Sequence, residues 1–451
     1  MSYSAKHRRN VNYRSHSFGI PVKSGASEAT KVQVVTSLDE FDALHDPWNT
    51  LLDKGSGSIF QKFEWQRSWW RHFGETNRNT YLHIIVVEIS GTTAAIAPLQ
   101  IEKMRAPGLP SLRVLSFLGG KLTDYLDFIV HPRFEKEAIE SIAGHIGEAR
   151  SLFDVISLTE IPEHSPTSRI LFDILQASGL QGTRFINEYC PRVALGPTWE
   201  ATLGSMDSSR ARRISRRIRL ISRDHETHFE VLTPSEDITG AMREFIRMHQ
   251  GRWKKMGELG VFDDERVVKF HLEVAEQLQE WVFLAFLCID GVRVAADYCF
   301  LFRGTLSYYL NGIDCPEDLM KLSPGLVVHS SCMQEAIRRG AHSFDFLRGI
   351  EQYKYDLGAA DIPNWSVLLY SGSASRIRLL HRVYLVLDSV KKRGKKEIAL
   401  FRHEIRKDGL LASSTLRFLA SRLRTVLVDS HTKISQPEKP IYMSQRSQTD
   451  H

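Results

Sequence analysis

The amino-acid sequence predicts an α/β protein with mixed sheets, built from two halves of similar order and followed by a basic helical extension. Helix and strand patterns alternate from residue 32 to residue 372, and the order of elements in the first half recurs in the second. The length of 451 residues also exceeds what one hydrophobic core usually serves. Apolar residues make up 42% of the chain and charged residues 25%, which is ordinary for a globular protein.

The chain divides into five predicted regions. The two halves are predicted over residues 31–190 and 191–372. Residues 1–30 and 429–451 are polar and without periodicity, so both ends are expected to be disordered. Residues 373–428 contain two basic amphipathic patterns. These patterns suit either a peripheral contact with an anionic membrane or packing against the body of the protein or a second subunit.

Strands and helices follow one another in the first half. In order, the predicted elements are strand VQVVTSL, helices DEFDALHDPWNTLLD and EWQRSWWRHFG, strands YLHIIVVEIS, GTTAAIAPLQIEKM, SLRVLSFLGG and DYLDFIV, a helix over 133–150, strand DVISLTEI, a helix over 166–179 and strand RFINEYC. The dipeptide Ser90-Gly91 predicts a hairpin turn. Trp65, Trp69 and Phe73 share one helix face, a spacing more typical of a core stripe than of a ligand site.

The second half begins with a very basic helix, SSRARRISRRIRLISRD. This helix is either a solvated helix at the junction of the halves or one that collects anionic groups of a substrate. The elements that follow are strand HFEVLTP, helices EDITGAMREFIRMHQGRWKKMG and DDERVVKFHLEVAEQLQEW, strands VFLAFLCID, GVRVAADYCFLF and TLSYYLNGID, a helix over 324–339, strand SFDFL and strand NWSVLLYS. Asp290-Gly291 predicts a second hairpin turn, and NWSVLLYS is expected to complete this half.

Charge and cysteine usage exclude several classes of protein. The net charge is +6, but the segment from Ser373 onwards alone contributes +10, which leaves −4 for the preceding residues. A mildly acidic body argues against a nucleic-acid-binding core, so no nucleic-acid partner is expected. Five widely spaced cysteines show no metal-ligand spacing, so no metal is expected, and free thiols are typical of the cytoplasm. The N-terminus lacks a signal-peptide pattern, and no apolar run is long enough to span a membrane.

Polar side chains gather around the last helix and strand of the second half, over residues 314–358. Ser323 and Pro324 suit the start of a helix, and Gly325 allows a ligand to approach the backbone. Free amides at such a helix end bind anions such as a pyrophosphate. The backbone amides of Ser323, Gly325 and Leu326 are therefore predicted to bind phosphate.

Ionisable groups that suit proton transfer lie on the neighbouring strands. Asp297 is placed in an apolar strand, where burial favours the neutral carboxyl group, so it is predicted to act as a base near neutral pH; Asp314 is the alternative. Tyr353 is predicted to donate a proton, with its pKa lowered by the adjacent ammonium of Lys354. The residues predicted to bind the substrate are Asp345, Arg348, Glu351 and Lys354. No nucleophile with its own base is visible, which disfavours covalent catalysis.

Several segments together resemble a known family. The segments RWKKMGELGVF, VRVAADY after Asp290-Gly291, YYLNGID, SPGLVVHSSCMQEAIRRG and FDFLRGIEQYKYDLG are similar, in order and spacing, to the CelD-like acetyltransferase family of the GNAT superfamily. FQKFEWQRSWWRHFG and FLGGKLTDYLDFIV resemble that family's first half. The resemblance covers about residues 32–372 and is specific over 290–358. The segment MKLSPGL departs from the usual GNAT phosphate loop, because it offers a single glycine.

The resemblance implies two tandem GNAT-like domains, related in architecture to Fem-type peptidyltransferases. It implies transfer of an acetyl or longer acyl group from acetyl-CoA or another acyl-CoA to an amine or hydroxyl group. The acceptor would be a small molecule or a saccharide, such as an envelope polysaccharide precursor. Two alternatives stay open, a Fem-type transferase that uses aminoacyl-tRNA and a binding subunit of an exopolysaccharide-synthesis complex without activity. A cytoplasmic protein, with or without peripheral membrane contact, is expected.

Overall fold

The computed structural model describes residues 30–232, 237–255, 258–372 and 375–387. The predicted polar ends, apart from residue 30, and most of the predicted basic extension lie outside the described residues. Within these ranges, no helix is both long and apolar enough to cross a membrane.

The first half follows the predicted alternation of strands and helices. Its elements are β1 (Thr30–Val35), α1 (Leu38–Asp42), α2 (His45–Lys54), α3 (Phe63–Trp69), β2 (Thr80–Leu82), β3 (Ile84–Ile89), β4 (Thr92–Ala97), β5 (Leu99–Met104), β6 (Leu112–Phe117), β7 (Ile129–Val130), α4 (Glu135–Glu148), β8 (Val155–Pro162), α5 (Thr167–Ala177) and β9 (Gln181–Tyr189). A capping box between Ser37 and Glu40 begins α1, because each residue satisfies a free amide of the other.

The second half repeats this order in part. Its elements are β10 (Arg192–Ala194), α6 (Trp199–Gly204), α7 (Ser208–Asp224), β11 (Thr227–Val231), α8 (Ile238–Lys255), α9 (Glu265–Gln277), β12 (Val282–Ile289), β13 (Val292–Phe302), β14 (Thr305–Ile313), α10 (Glu317–Met320), α11 (Pro324–Arg338), β15 (Ser343–Asp345), α12 (Gln352–Asp356) and β16 (Pro363–Tyr370). A further helical segment spans residues 375–387.

The strands form three sheets. Their strand orders are β1-β3-β4-β7, β2-β5-β6-β8-β16-β9 and β10-β15-β14-β13-β12-β11. The two six-stranded sheets contain the parallel pairs β6 with β8 and β14 with β15. The chain passes from one strand of each pair to the other through a long helix, α4 or α11. Each half is therefore organised around one β-α-β crossover, which parallel neighbours require.

Tight turns join the antiparallel strands as the sequence predicted. Both residues of Ser90-Gly91 have positive φ angles, 52° and 74°, and both residues of Asp290-Gly291 do as well, 51° and 79°. Two consecutive positive φ angles are typical of the two-residue hairpin turn that matches strand twist. Both predicted hairpins are therefore confirmed.

One strand crosses between the halves. β16 lies between β8 and β9 and pairs antiparallel with both, so it belongs to the sheet of the first half. The first strand of the second half, β10, stays in its own half and pairs with β15. The expectation that NWSVLLYS completes the second half is therefore wrong. An apolar run predicts a buried strand but does not specify which strands it pairs with.

Two further strand predictions need correction. Only Ile129–Val130 of the predicted strand DYLDFIV is a strand, because Tyr125 has a φ of 51° and the Asp127 carboxylate accepts a hydrogen bond from the next amide. The predicted strand GTTAAIAPLQIEKM divides at Pro98 into β4 and β5, which lie in different sheets. Proline has no amide hydrogen for a ladder, so the chain changes sheets there.

A hydrophobic core is shared by the two halves. Trp65 of α3 is fully buried, with its ring centroid 5.2 Å from that of Phe270 in α9 and 5.6 Å from that of Phe300 in β13. Its indole nitrogen donates a hydrogen bond to Thr123. The aromatic stripe of α3 is therefore core, as its spacing indicated, and it fixes the first half against the second.

Candidate functional site

The parallel strands β14 and β15 separate soon after they meet. They pair over three residues, and Ser307 opposite Asp345 is the last pair, although β14 continues for six more residues. A shift in the register of β13 and β14 leaves Tyr309 as an extra residue at this point. Such a bulge bends its strand. We call the space between the unpaired residues 308–313 of β14 and the chain that follows β15 the wedge.

The helix α11 begins beside the far end of β14. Pro324 is its first residue, as predicted, and no acidic residue lies in its first turn. Gly325 is close to the end of β14, because a Cβ atom placed there would lie 3.1 Å from the Ile313 side chain. The side chain of the residue before the helix, Ser323, makes no capping hydrogen bond. The amides of Gly325 and Leu326 therefore lie at an uncapped helix end, which favours anions.

Ser323 differs from its prediction. Its φ and ψ are 60° and 57°, a left-handed conformation, and its side chain makes no capping hydrogen bond. Its amide donates a hydrogen bond to the carbonyl of Met320, 3.0 Å away, so this amide is not available to a phosphate group. A left-handed residue before proline is strained, and such strain is concentrated at functional sites.

Asp297 forms a fully buried pair with a residue of α11 that the sequence analysis missed. The Oδ2 atom of Asp297 lies 2.7 Å from Nδ1 of His329, and Oδ1 has no partner among the described residues. The thiol of Cys332 also reaches Oδ2, at 3.4 Å. Asp297 therefore lies on the α11 side of the sheet and orients His329. The spacing of His329 and Cys332, three residues apart in the predicted helix, was the available signal.

Tyr353 lies in an aromatic cluster at the wedge. Its ring stacks on His329 with centroids 5.6 Å apart and meets Phe346 edge-on at 5.9 Å. Its hydroxyl interacts with that of Tyr308 in β14. Desolvation raises the pKa of Tyr353 well above its usual value, although 37% of the residue's surface is exposed, so the predicted lowering of this pKa by Lys354 is wrong. The phenol therefore keeps its proton at neutral pH.

Lys354 stabilises the loop that follows β15. Its buried ammonium donates hydrogen bonds to the carbonyls of Leu347, Arg348 and Gly349, at 3.4, 2.7 and 3.2 Å, and pairs with Glu351 at 2.9 Å. These contacts use all three ammonium hydrogens. They hold a loop in which Leu347 has a φ of 53°. This arrangement favours a structural role for Lys354 and Glu351 over the predicted binding role.

Asp345 and Arg348 join the two halves. Asp345 is buried and accepts hydrogen bonds from the Tyr125 hydroxyl and from Arg192, at 2.7 and 2.6 Å. Arg348 donates to Asp124, 2.6 Å away, and pairs with Glu160 at 3.3 Å. Burial raises the pKa of Glu160. Both predicted substrate-binding residues are thus engaged with the first half of the chain.

Asp314, the alternative base, is paired at the surface. Arg247 lies 2.7 Å from one carboxylate oxygen and Lys255 lies 3.2 Å from the other. The hydrogen bond from Arg247 is the largest cause that lowers the pKa of Asp314. A carboxylate held in its ionised form is a weaker base, so the structure disfavours Asp314 in this role.

The arginine-rich helix α7 lies next to α11. Ile214 and Ile221 are buried, and the arginines on the outward side are exposed: Arg212, Arg213, Arg216, Arg219 and Arg223. Arg217 donates a hydrogen bond to the carbonyl of Lys321, two residues before Ser323. Arg213 pairs with Asp356 at 2.8 Å. The helix therefore borders the phosphate-binding candidate, while most of its charge faces solvent.

A cavity of about 340 Å³ lies between the two halves. Ser307 and Asp345, the last pair before the wedge, line it from the second half, and Tyr125, Asp127 and Glu135 line it from the first. The size is within the range of small-molecule sites. Ser307 lies directly opposite Phe300 in the pairing of β13 and β14, so both side chains are on the sheet face that forms the shared core. Asp297 is an odd number of residues from Phe300 and is on the other face. The cavity and Asp297 are therefore on opposite faces of the sheet.

The comparisons with known proteins define the class of fold. Residues 208–355 match the family model described as an acetyltransferase (GNAT) domain. The structure of FemX is similar, with a TM-score of 0.51 and 12% identity, over 74% of this chain and 96% of that one. Residues 208–355 are therefore similar to a GNAT domain, and the chain shares its fold with FemX. The predicted α/β class with mixed sheets is confirmed.

Two other structures are similar at lower scores. L-PGS from Bacillus licheniformis has a TM-score of 0.44 and 13% identity, over 80% of this chain and 99% of that one. A tandem GNAT protein from the clavulanic acid biosynthesis pathway has a TM-score of 0.41 and 10% identity, over 75% and 98%. Among curated proteins, none matches this chain.

Proposed function

We propose that the protein transfers an acetyl or longer acyl group from an acyl-CoA to an amine or hydroxyl group of an acceptor. The observation that carries the proposal is the wedge between β14 and β15, which ends beside the uncapped start of α11. In this proposal the pantetheine arm lies in the wedge, and the amides of Gly325 and Leu326 bind its pyrophosphate. The match of residues 208–355 to an acetyltransferase domain supports the same assignment.

The residues at the wedge suit the proton transfers of this reaction. The acceptor's nitrogen or oxygen attacks the thioester carbonyl, the C–S bond breaks, and the thiolate leaves. Tyr353 keeps its proton at neutral pH and donates it to that thiolate. The acceptor's proton passes to the buried Asp297–His329 pair. In this proposal Asp297 orients His329, because its Oδ2 atom is bound to Nδ1 of the ring.

One acceptor is proposed, and the donor has an alternative. A saccharide precursor of an envelope polymer is proposed as the acceptor on the resemblance to CelD-like proteins. The second candidate for the donor is aminoacyl-tRNA, as in Fem-type enzymes. The exposed arginines of α7 favour this alternative, since guanidinium groups suit a phosphate backbone. A subunit without catalytic activity would bind neither donor.

The test of the donor is calorimetric titration of the full chain with acetyl-CoA, with a longer acyl-CoA and with charged tRNA. We expect acyl-CoA binding, and Gly325→Ala should weaken it about tenfold, because the new methyl group meets both the pyrophosphate and Ile313. Gly144→Ala is the matched control, since a Cβ atom there has nothing within 4 Å. Binding of charged tRNA without acyl-CoA would establish the alternative.

The test of the proton-transfer residues is turnover with an identified acceptor. Tyr353→Phe and Asp297→Asn should each lower kcat about a hundredfold while acyl-CoA still binds, which is typical of lost acid or base groups. The pH profile of Asp297→Asn should also change, because a purely structural substitution would leave its shape intact. Unchanged turnover in both variants would contradict these roles.

A further inference from the structure

The cavity between the halves has a charge distribution that the proposed function does not use. Two carboxylates of the first half, Asp127 and Glu135, line it. Among the described residues, neither forms an ion pair with a cation. We propose that this cavity binds an ammonium group of the acceptor, with Asp127 and Glu135 as its counter-ions. Calling the ligand an acceptor rests on the proposed function. The binding of an ammonium group in the cavity does not depend on it.

The other charged groups of the cavity are already satisfied. Arg192 pairs with Asp345 at 2.6 Å. Arg303 donates hydrogen bonds to the carbonyls of Leu52, Gly55 and Gly57 and lies 3.7 Å from Asp53. Burial and Arg192 lower the pKa of His164, so this ring is neutral at neutral pH. Both arginines of the lining thus have a carboxylate partner, whereas Asp127 and Glu135 have no cationic partner among the described residues. An unpaired carboxylate in a cavity attracts a positive charge.

Asp127 is held in place by neutral groups. Its carboxylate accepts hydrogen bonds from the Phe128 amide, at 2.7 Å, and from the hydroxyls of Ser165 and Thr167. Burial raises its pKa to about 6, and Glu135 contributes in the same direction. Hydrogen bonds without a cation orient a carboxylate but leave its charge free to act. Above pH 6 the cavity therefore offers an ionised, oriented carboxylate to a ligand.

The position of the cavity in the fold explains why it suits a cation. It lies at the start of α4, the crossover helix of the first half. This place corresponds to the start of α11 in the second half, where the phosphate group of the donor is proposed to bind. Glu135 and Glu137 occupy the first turn of α4, whereas the first turn of α11 has no acidic residue. Carboxylates at a helix start repel a phosphate group. The equivalent place in the first half is therefore unsuited to a nucleotide.

The cavity also adjoins the proposed donor site. Ser307 and Asp345 line it and form the last pair before β14 and β15 separate. An acceptor whose ammonium group is held by Asp127 would extend towards the wedge. The cavity thus selects the acceptor by its charge, while the wedge holds the acyl donor.

The experiment is a calorimetric titration of the full chain at pH 7.5 with cadaverine and, separately, with 1,5-pentanediol. These probes have the same length, and the ammonium groups of cadaverine resemble that of lysine, with an ordinary pKa of about 10.4. We expect cadaverine to bind at least about tenfold more tightly than the diol. Lowering the pH to 5 should weaken cadaverine binding, because Asp127 becomes protonated.

Charge-neutralising variants test whether cadaverine binds in the cavity or to surface charge in general. Asp127→Asn and Glu135→Gln should each weaken cadaverine binding about tenfold. Glu137→Gln removes the same charge from the same helix turn outside the cavity, and should leave binding unchanged. Equal affinity for the two probes, no effect of Asp127→Asn, or an equal loss in Glu137→Gln would overturn the inference.

The outcome also distinguishes this inference from the proposed function. Acetyl-CoA binding should be the same in Asp127→Asn as in the unaltered chain. If cadaverine binds as expected and acetyl-CoA does not, the ammonium site stands and the donor assignment fails. If acetyl-CoA binds and the two probes do not differ, the donor assignment stands and the ammonium site fails.

Discussion

Asp127→Asn should make the protein more stable at neutral and alkaline pH. The usual carboxyl pKa of 3.8 is raised to about 6 in the folded protein, so the folded state disfavours the charge. A shift of about 2 pKa units corresponds to about 3 kcal/mol of cost to folding once the group is ionised. The side chain is half-buried, and solvent screening reduces this to roughly 1 to 2 kcal/mol.

The sign of the pH dependence follows from the direction of the shift. Between pH 4 and pH 6 the folded state binds more protons at Asp127 than the unfolded state, so stability falls as pH rises through this window. The full cost is present above pH 6 and absent below about pH 4. The advantage of Asp127→Asn should therefore be greatest at pH 8 and shrink by roughly half at pH 5.

Thermal unfolding at pH 8 and pH 5 measures this effect. A gain of roughly 1 to 2 kcal/mol corresponds to an increase in Tm of roughly 2 to 8 °C for halves of this size. Glu137→Gln, which removes an exposed carboxylate from α4, should change Tm little at either pH. The reasoning is refuted if Asp127→Asn has the same Tm as the unaltered chain at pH 8, or if its advantage does not depend on pH.

Two further substitutions test how the site is supported. Lys354→Met keeps the buried chain length but removes hydrogen bonds to three carbonyls, so we expect a loss of roughly 2 to 3 kcal/mol in thermal unfolding and faster proteolysis at Leu347. An unchanged Tm would mean that this loop does not need the ammonium. Trp65→Leu should cost roughly 3 kcal/mol in chemical denaturation, because it opens the core shared by the halves. Leu379→Ala, at a side chain that is 66% exposed, should have almost no effect and serves as its control.

The sequence predicted most elements of the fold because their patterns are local. The hairpin at Asp290-Gly291 and the helix that begins at Pro324 depend on residues a few positions apart, which a single sequence displays. The pairing of β16 with β8 and β9 depends on residues about 200 positions away. Its apolar pattern suits a buried strand in either sheet, so the sequence alone could not select the first half.

The sequence brought together part of the candidate site for the same reason. Gly325, Leu326, Asp297 and Tyr353 lie around the wedge, and their signals are a helix start, a charge in an apolar strand and a polar run after a strand. Lys354 was assigned to substrate because the sequence does not show that its ammonium folds back onto the carbonyls before it. Asp127 was missed, since its segment has a strand-like pattern and its cavity exists only where the halves meet.

In the proposed function, the two crossover helices would give the two similar halves different ligands. Each helix starts near the end of a parallel strand pair, so each half offers a site at the same place in its fold. The uncapped start of α11 has no acidic residue and favours the anionic donor. The start of α4 has Glu135 in its first turn, with Asp127 across the same cavity, and favours a cation. Because the cavity at α4 reaches Ser307 and Asp345, the ligand of the first half would meet the ligand of the second at the wedge. Two sites of opposite charge preference, joined at one gap between strands, are what a transfer between two substrates requires.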